Sequence, residues 1–133
     1  MRLIIDTQIL IWLLLLDKSL TKPIQELLTD ADNDVFIPHI CFFEIAIKQK
    51  TGKLPELTWP TNTIVKQLIR DGFELLSVAT SHIATYDSIP LLPDHRDPFD
   101  RLLIATAIAE NIPLISADDK FGAYQPQLQL IDA

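Results

Sequence analysis

The sequence is poor in glycine, cysteine and positive charge, and each shortage removes a class of function. Three glycines in 133 residues cannot build the glycine-rich loop that cradles phosphates on backbone N–H groups. The single cysteine, Cys41, has no partner for an internal disulfide. Set in an apolar segment, it reads as a small buried hydrophobe rather than a nucleophile, and the composition suits a reducing cytosol. The histidines, at positions 39, 82 and 95, show no zinc-ligand spacing. Lysine and arginine number 11 against 18 aspartates and glutamates, a net charge of -7. That argues against a broad basic face that coats nucleic acid. It leaves open an acidic site that holds a metal, because the ion reverses the local sign.

Long apolar runs are missing too. The run from Ile9 to Leu16 is eight residues, far short of a membrane span. Asp6 interrupts the apolar stretch after Arg2, and Asp17-Lys18 stands where a signal peptide would carry small residues for cleavage. The expectation is a cytoplasmic protein without a membrane segment.

What is present is a chain 48% apolar, long enough for one domain, residues 1–133, around a sizeable core. The pattern predicts a buried strand over residues 2–5, then a helix over 7–16 that is apolar almost all round and hence buried. A second helix opens near Pro23, with Ile24, Leu27 and Leu28 inward. Val35-Phe36-Ile37 forms a strand closed by Pro38. A helix then runs from His39 to Lys50, with Gly52 as its C-terminal cap. Residues 61–71 form an amphipathic helix ended by Gly72. Strands follow at 74–78, 113–116 and 128–131, with helices from Thr80 and from Pro98 to Glu110. Phe42, Trp12 and Trp59 are assigned to the core. Strands that are apolar runs and alternate with helices indicate a mostly parallel sheet covered on both faces, an α/β domain.

Four acids interrupt this apolar pattern: Asp6, Glu44, Asp100 and Asp118. Asp6 and Asp118 fall at the carboxyl ends of strands, where α/β sheets collect functional groups. Asp6 also fits a helix cap. Glu44 sits among Ile40, Phe43 and Ile47 on a helix with no wet side, so it needs a partner, and Lys48 one turn on is one candidate. In Asp97-Pro98-Phe99-Asp100, Asp97 fits the cap, Pro98 the first helical position and Asp100 the third. Asp100 is therefore the site residue of the pair, although capping explains it nearly as well. Asp119 is assigned to solvent or to capping Lys120-Phe121. Carboxylates about 4 Å apart repel by several kcal/mol at an intermediate dielectric, and a hard divalent cation is the natural remedy. An oxygen ligand set favours Mg2+, with Mn2+ as substitute.

These segments carry a family resemblance. Leu-Ile-Ile-Asp-Thr at 3–7, Phe-Glu-Ile-Ala-Ile-Lys at 43–48 with Gly52-Lys53-Leu54, His-Arg-Asp-Pro-Phe-Asp-Arg-Leu-Leu-Ile-Ala at 95–105 and Ser-Ala-Asp at 116–118 resemble PIN-domain proteins. More narrowly, they resemble VapC-type toxin ribonucleases of toxin–antitoxin pairs. The match runs in order along almost the whole chain, and the His-Arg-Asp-Pro-Phe-Asp-Arg block is its most specific part. Gln8 departs from the histidine common after Asp-Thr.

The resemblance implies a three-layer α/β/α sandwich with a short-stranded central sheet. It implies an Mg2+-dependent endoribonuclease whose metal site is Asp6, Glu44, Asp100 and Asp118, with Thr7, Ser116 and Arg101 in support. It also implies an RNA substrate, a small cognate antitoxin and a homodimer. Lys48, Arg96 and Arg101 are candidate RNA contacts, Arg101 foremost because it adjoins a proposed ligand. The alternative is a catalytically silent PIN fold that binds RNA or antitoxin. A receiver-like phospho-acceptor domain fits less well, because Asp6 stands alone early in the chain and Lys120 is misplaced for that chemistry.

Overall fold

The computed structural model describes residues 1–133. The order is β1 (Arg2–Ile5), α1 (Thr7–Leu15), α2 (Lys22–Thr29), β2 (Asp34–Pro38), α3 (His39–Lys50), α4 (Thr61–Arg70), β3 (Glu74–Leu76), α5 (Thr80–Tyr86), α6 (Pro98–Glu110), β4 (Leu114–Ser116), a 3-10 helix (Asp119–Tyr124) and β5 (Leu130–Asp132). The five strands form one sheet in the order β3-β2-β1-β4-β5. All four pairings are parallel, so "mostly parallel" becomes wholly parallel. The register pairs Ile4 with Phe36 on one side and with Leu114 on the other.

Leu3, Ile4 and Ile5 are completely buried because helices cover both faces, which is why the strand reads as an apolar run. Adjacent side chains point to opposite faces and separate the core into two clusters. Leu3, Ile5, Val35, Ile37 and Ile115 pack with residues of α1, α2, α3 and α4. Ile4 and Leu114 pack with Ile104, Ala105 and Ala107 of α6 and with Phe121, Tyr124 and Leu128 beyond β4. The result is an α/β/α sandwich.

Two expectations need correction, and one alternative is decided. Helix α1 is not buried throughout. Ile9, Leu10 and Ile11 are interior, but Trp12, Leu13, Leu14 and Leu15 are half-exposed, and Leu16 is 87% exposed in a left-handed conformation, φ 53°. An all-apolar helix carries no periodicity from which to tell its dry end from its wet one. Among the aromatics, Phe42 is core and Trp12 half-buried, but Trp59 lies on the surface. The segment after β4 is a 3-10 helix opened by Asp118, whose carboxylate accepts from Lys120 N at 3.0 Å. Asp118 is therefore the cap, and of the two roles open to Asp119 the structure gives the solvated one.

The strand order reverses between β1 and β4. The chain winds from β1 outward to β3, then returns to place β4 on the other side of β1. Such a switch point opens a crevice at the carboxyl ends of the strands, and Asp6 and Asp118 follow those two strands.

Candidate active site

Asp6 follows β1 directly. Its extended backbone and its carboxylate cap α1, with Oδ1 accepting from Ile9 N at 2.9 Å. Thr7, the first helical residue, donates its hydroxyl to Glu44 Oε1 at 2.8 Å across to α3. Thr7 is thus the partner that Glu44 needed. Lys48 makes no ion pair with it, although its charge partly stabilises the Glu44 carboxylate. The face of α3 that carries Glu44 is also wetter than its sequence implies: Phe43 is 57% exposed and packs edge-on against Phe99 with ring centroids 5.8 Å apart.

Asp97 caps α6, accepting from Phe99 N and Asp100 N at 2.8 and 3.3 Å. The Asp100 carboxylate does not reach back to complete a capping box. Its Oδ2 lies 3.3 Å from His95 Nε2 instead, so capping no longer explains it. Ser116, at the end of β4, accepts from Asp118 N at 3.0 Å.

The four acids line one cleft of about 230 Å³ together with Thr7, Gln8, Lys48 and Asp97, with no hydrophobic residue in its wall. A cleft of about 340 Å³ lies elsewhere, between Leu13, Leu16, Asp17, Leu20, Gln25 and Thr29. It contains a single carboxylate and no convergent chemistry. At the edge of the acid cleft, buried His95 forms the tightest group with Asp100 and Asp118, the candidate ligand atoms all lying within 4.8 Å of one another. Asp6 and Glu44 share the cleft but stand outside that group.

Electrostatics bear the mark of crowding. Burial pushes the Asp6 carboxyl up to about 6, against hydrogen bonds from Ser116 and Ile9, and the charges of Asp118 and Glu44 add to the rise. Burial, with the charge of Asp97, also pushes Asp100 up to about 6. Glu44 is raised by burial as well. The only contacts of salt-bridge length involve histidine rings, His82 with Glu110 and His95 with Asp100, so no lysine or arginine neutralises the four acids at contact distance. Converging oxygens, raised carboxyls and no cationic partner make a donor set that fits a hard divalent cation.

The structure separates the three candidate RNA contacts. Lys48 lines the cleft. Arg96 is exposed but is not part of the cleft wall. Arg101 cannot contact phosphate where it stands, because it is 2% exposed and its donors are engaged. Its guanidinium bonds Tyr86 Oη at 3.1 Å, Pro90 O at 2.8 Å and Ile89 O at 3.2 Å, and it lies over the Tyr86 ring at 4.9 Å. On the first turn of α6, Arg101 faces the core while Asp100 faces the cleft, and adjacency in sequence does not distinguish the two. It is a support that fastens the 86–90 segment to α6.

Two residues at the site lie outside the set predicted from sequence. His95 reaches Asp100 through one ring nitrogen and Tyr124 Oη through the other, at 2.7 Å. It has no zinc-ligand spacing, and its position beside the Asp-Pro-Phe-Asp-Arg block is the one sequence signal that marks it. Tyr124 had none, since it becomes a neighbour only through the fold.

Comparison with known proteins places the fold. No curated protein matches the chain. Among solved structures, a chain of VapBC2 from Rickettsia felis, bound to a DNA fragment from their promoter, is similar with a TM-score of 0.71 at 19% identity, covering 99% of this chain and 98% of that one. VapBC-1 from nontypeable Haemophilus influenzae gives 0.67 at 19% identity with the same coverage, 99% and 98%. VapBC-5 from Mycobacterium tuberculosis, of the VapBC family of toxin–antitoxin systems, gives 0.65 at 15% identity, again covering 99% and 98%. At these identities the likeness is one of fold. The PIN domain pattern matches residues 3–125, nearly the whole chain and all four acids of the cleft, and the chain belongs to the PIN domain family.

Proposed function

We propose that the protein is a metal-dependent endoribonuclease, the toxin of a toxin–antitoxin pair. The observation that carries this reading is the cleft at the β1/β4 switch point, where Asp6, Glu44, Asp100 and Asp118 converge without a cationic partner. PIN-family membership and the likeness to VapBC structures, one of them described as a member of a family of toxin–antitoxin systems, support it.

The four carboxylates would hold one or two Mg2+ ions, or Mn2+ in their place. When bound, the ion supplies Lewis acidity, neutralising charge on phosphoryl oxygens and making water easier to deprotonate. The protein supplies position. Thr7 orients Glu44 by its hydrogen bond, and Asp6 is fixed by its cap to α1. Ser116 holds the backbone of Asp118 and eases the charge on Asp6. Lys48, in the cleft wall, is placed to meet a phosphate on entry, with Arg96 as an outer contact. In-line hydrolysis then yields a 5′-phosphate and a 3′-hydroxyl.

Two partners belong to this reading: a small antitoxin and a second copy of the chain. The exposed apolar end of α1 is surface that a partner would cover. A short neighbouring gene whose product co-purifies with this chain is the expected antitoxin, and a dimer is expected in light scattering.

The experiment is cleavage of total RNA with Mg2+, with excess chelator, and with Asp6→Asn. The expected result is cleavage in the first case alone. Equal cleavage in chelator, or full activity of Asp6→Asn, refutes the reading. A wild type that binds RNA or antitoxin but neither Mn2+ nor cuts would be the silent PIN fold instead.

A further inference from the structure

Asp100 and Arg101 are neighbours on α6 that face opposite ways, yet a run of side-chain hydrogen bonds reconnects them. Arg101 Nη1 lies 3.5 Å from Tyr124 Oη, Tyr124 Oη lies 2.7 Å from His95 Nδ1, and His95 Nε2 lies 3.3 Å from Asp100 Oδ2. Elementary donor chemistry gives the run a direction. A guanidinium has no lone pair and can only donate, so the Tyr124 oxygen accepts from Arg101. The single Tyr124 proton is then free for His95 Nδ1. At the other end the ionised Asp100 carboxylate can only accept, so in the neutral imidazole the proton sits on Nε2, which donates to Asp100, and Nδ1 accepts from the Tyr124 hydroxyl. The ring has little freedom to turn. It is 4% exposed, with Phe121 and Tyr124 rings at centroid distances of 5.4 Å, and its backbone N–H is tied to Leu92 O.

We propose that His95 is a positioning residue of the metal site and not a ligand: Tyr124 holds it as the Nε2–H tautomer, and it fixes Asp100 Oδ2. This rests on the divalent-cation reading of the cleft. Distance alone would make His95 a third ligand beside Asp100 and Asp118, since the three sets of atoms lie within 4.8 Å. Hydrogen-bond polarity decides otherwise, because a protonated Nε2 has no lone pair to give. Tyr124 also ends the 3-10 helix that Asp118 opens, so the His95–Tyr124 contact ties together the two segments that carry these carboxylates.

Side-chain substitutions separate the two roles. His95→Gln keeps an N–H donor near the place of Nε2. His95→Asn puts its amide near Nδ1 and leaves Asp100 without a donor. Outer-shell contacts of this kind change metal affinity by about 10–100-fold, so in a Mn2+ titration of the full chain His95→Asn is expected to bind at least ~10-fold more weakly than wild type, and His95→Gln within about threefold. Tyr124→Phe, which removes only the hydroxyl, should weaken binding in the same direction as His95→Asn. A long-range 1H–15N spectrum of wild type should show His95 protonated at Nε2 both without and with saturating Mg2+, and it decides the question even if a variant fails to fold. An Nδ1–H tautomer, loss of the Nε2 proton on adding Mg2+, or wild-type affinity in a folded His95→Asn overturns the proposal and leaves the metal site standing. A wild type that binds no Mn2+ overturns the metal site itself, and this inference with it.

Discussion

Asp6 does two things at once: it caps α1 through Ile9 and it lines the acid cleft. Its carboxyl ordinarily titrates near 3.8 and is pushed up to about 6 by burial. The folded chain therefore keeps this proton to higher pH than the unfolded chain, and the metal-free protein loses stability as pH rises between those values. For Asp6 the loss is about 3 kcal/mol. Asn preserves the cap and removes the buried charge. Asp6→Asn should thus raise the melting temperature of metal-free protein by several degrees at pH 7.5 and by little at pH 4.5, measured by thermal unfolding. A drop at pH 7.5 would count against a strained carboxylate. Arg101 gives the opposite kind of prediction. Removing it leaves two carbonyls and two tyrosine hydroxyls with lost partners. Arg101→Ala should cost about 3 kcal/mol or more in urea unfolding, while the salt dependence of RNA binding should keep its slope. The four acids are legible in sequence because each breaks an apolar stretch. The burial of Arg101 and the reach of His95 are not, because their partners are brought close only by the fold, Tyr124 lying 29 residues beyond His95.

At the scale of elements, helices with strong end signals are the best read. α3 and α6 begin and end as expected, the first at Lys50 before Gly52 and the second between Asp97 and Glu110. β3, β4 and β5 are three residues each, too short for apolar patterning to mark their ends. The misjudged element is α1. Leu16 closes it at φ 53°, a conformation that costs a side-chain-bearing residue about 1–2 kcal/mol and that glycine adopts freely. Leu16 is almost fully exposed, so little burial offsets that cost in the isolated chain. Leu16→Gly should stabilise the chain by about 1 kcal/mol in denaturant unfolding. If stability falls instead, Leu16 is packed in solution, as it would be in a dimer that uses this end of α1.

For the molecule as a whole, strand order explains how four acids distant in sequence come to one cleft. A sheet that winds outward from β1 in one direction and returns through β4 in the other opens its crevice beside Asp6 and Asp118. α3 and α6 deliver Glu44 and Asp100 to the same place. The alternation of apolar strands and helices makes the architecture legible in advance; the exact register and the all-parallel order emerge from the packing. A cation that binds only the folded state adds stability by mass action. Mg2+ should therefore raise the melting temperature at pH 7.5 and leave it nearly unchanged at pH 4.5, where protons occupy the raised carboxyls and compete with the ion. The most direct measurement is a Mn2+ titration at neutral pH, followed by the loss of the free-ion electron paramagnetic resonance signal, on wild type and Asp6→Asn. Saturable binding by wild type, weakened at least ~10-fold in Asp6→Asn, is the expected result; no binding by wild type, or equal binding by both, would contradict a metal centre in this cleft.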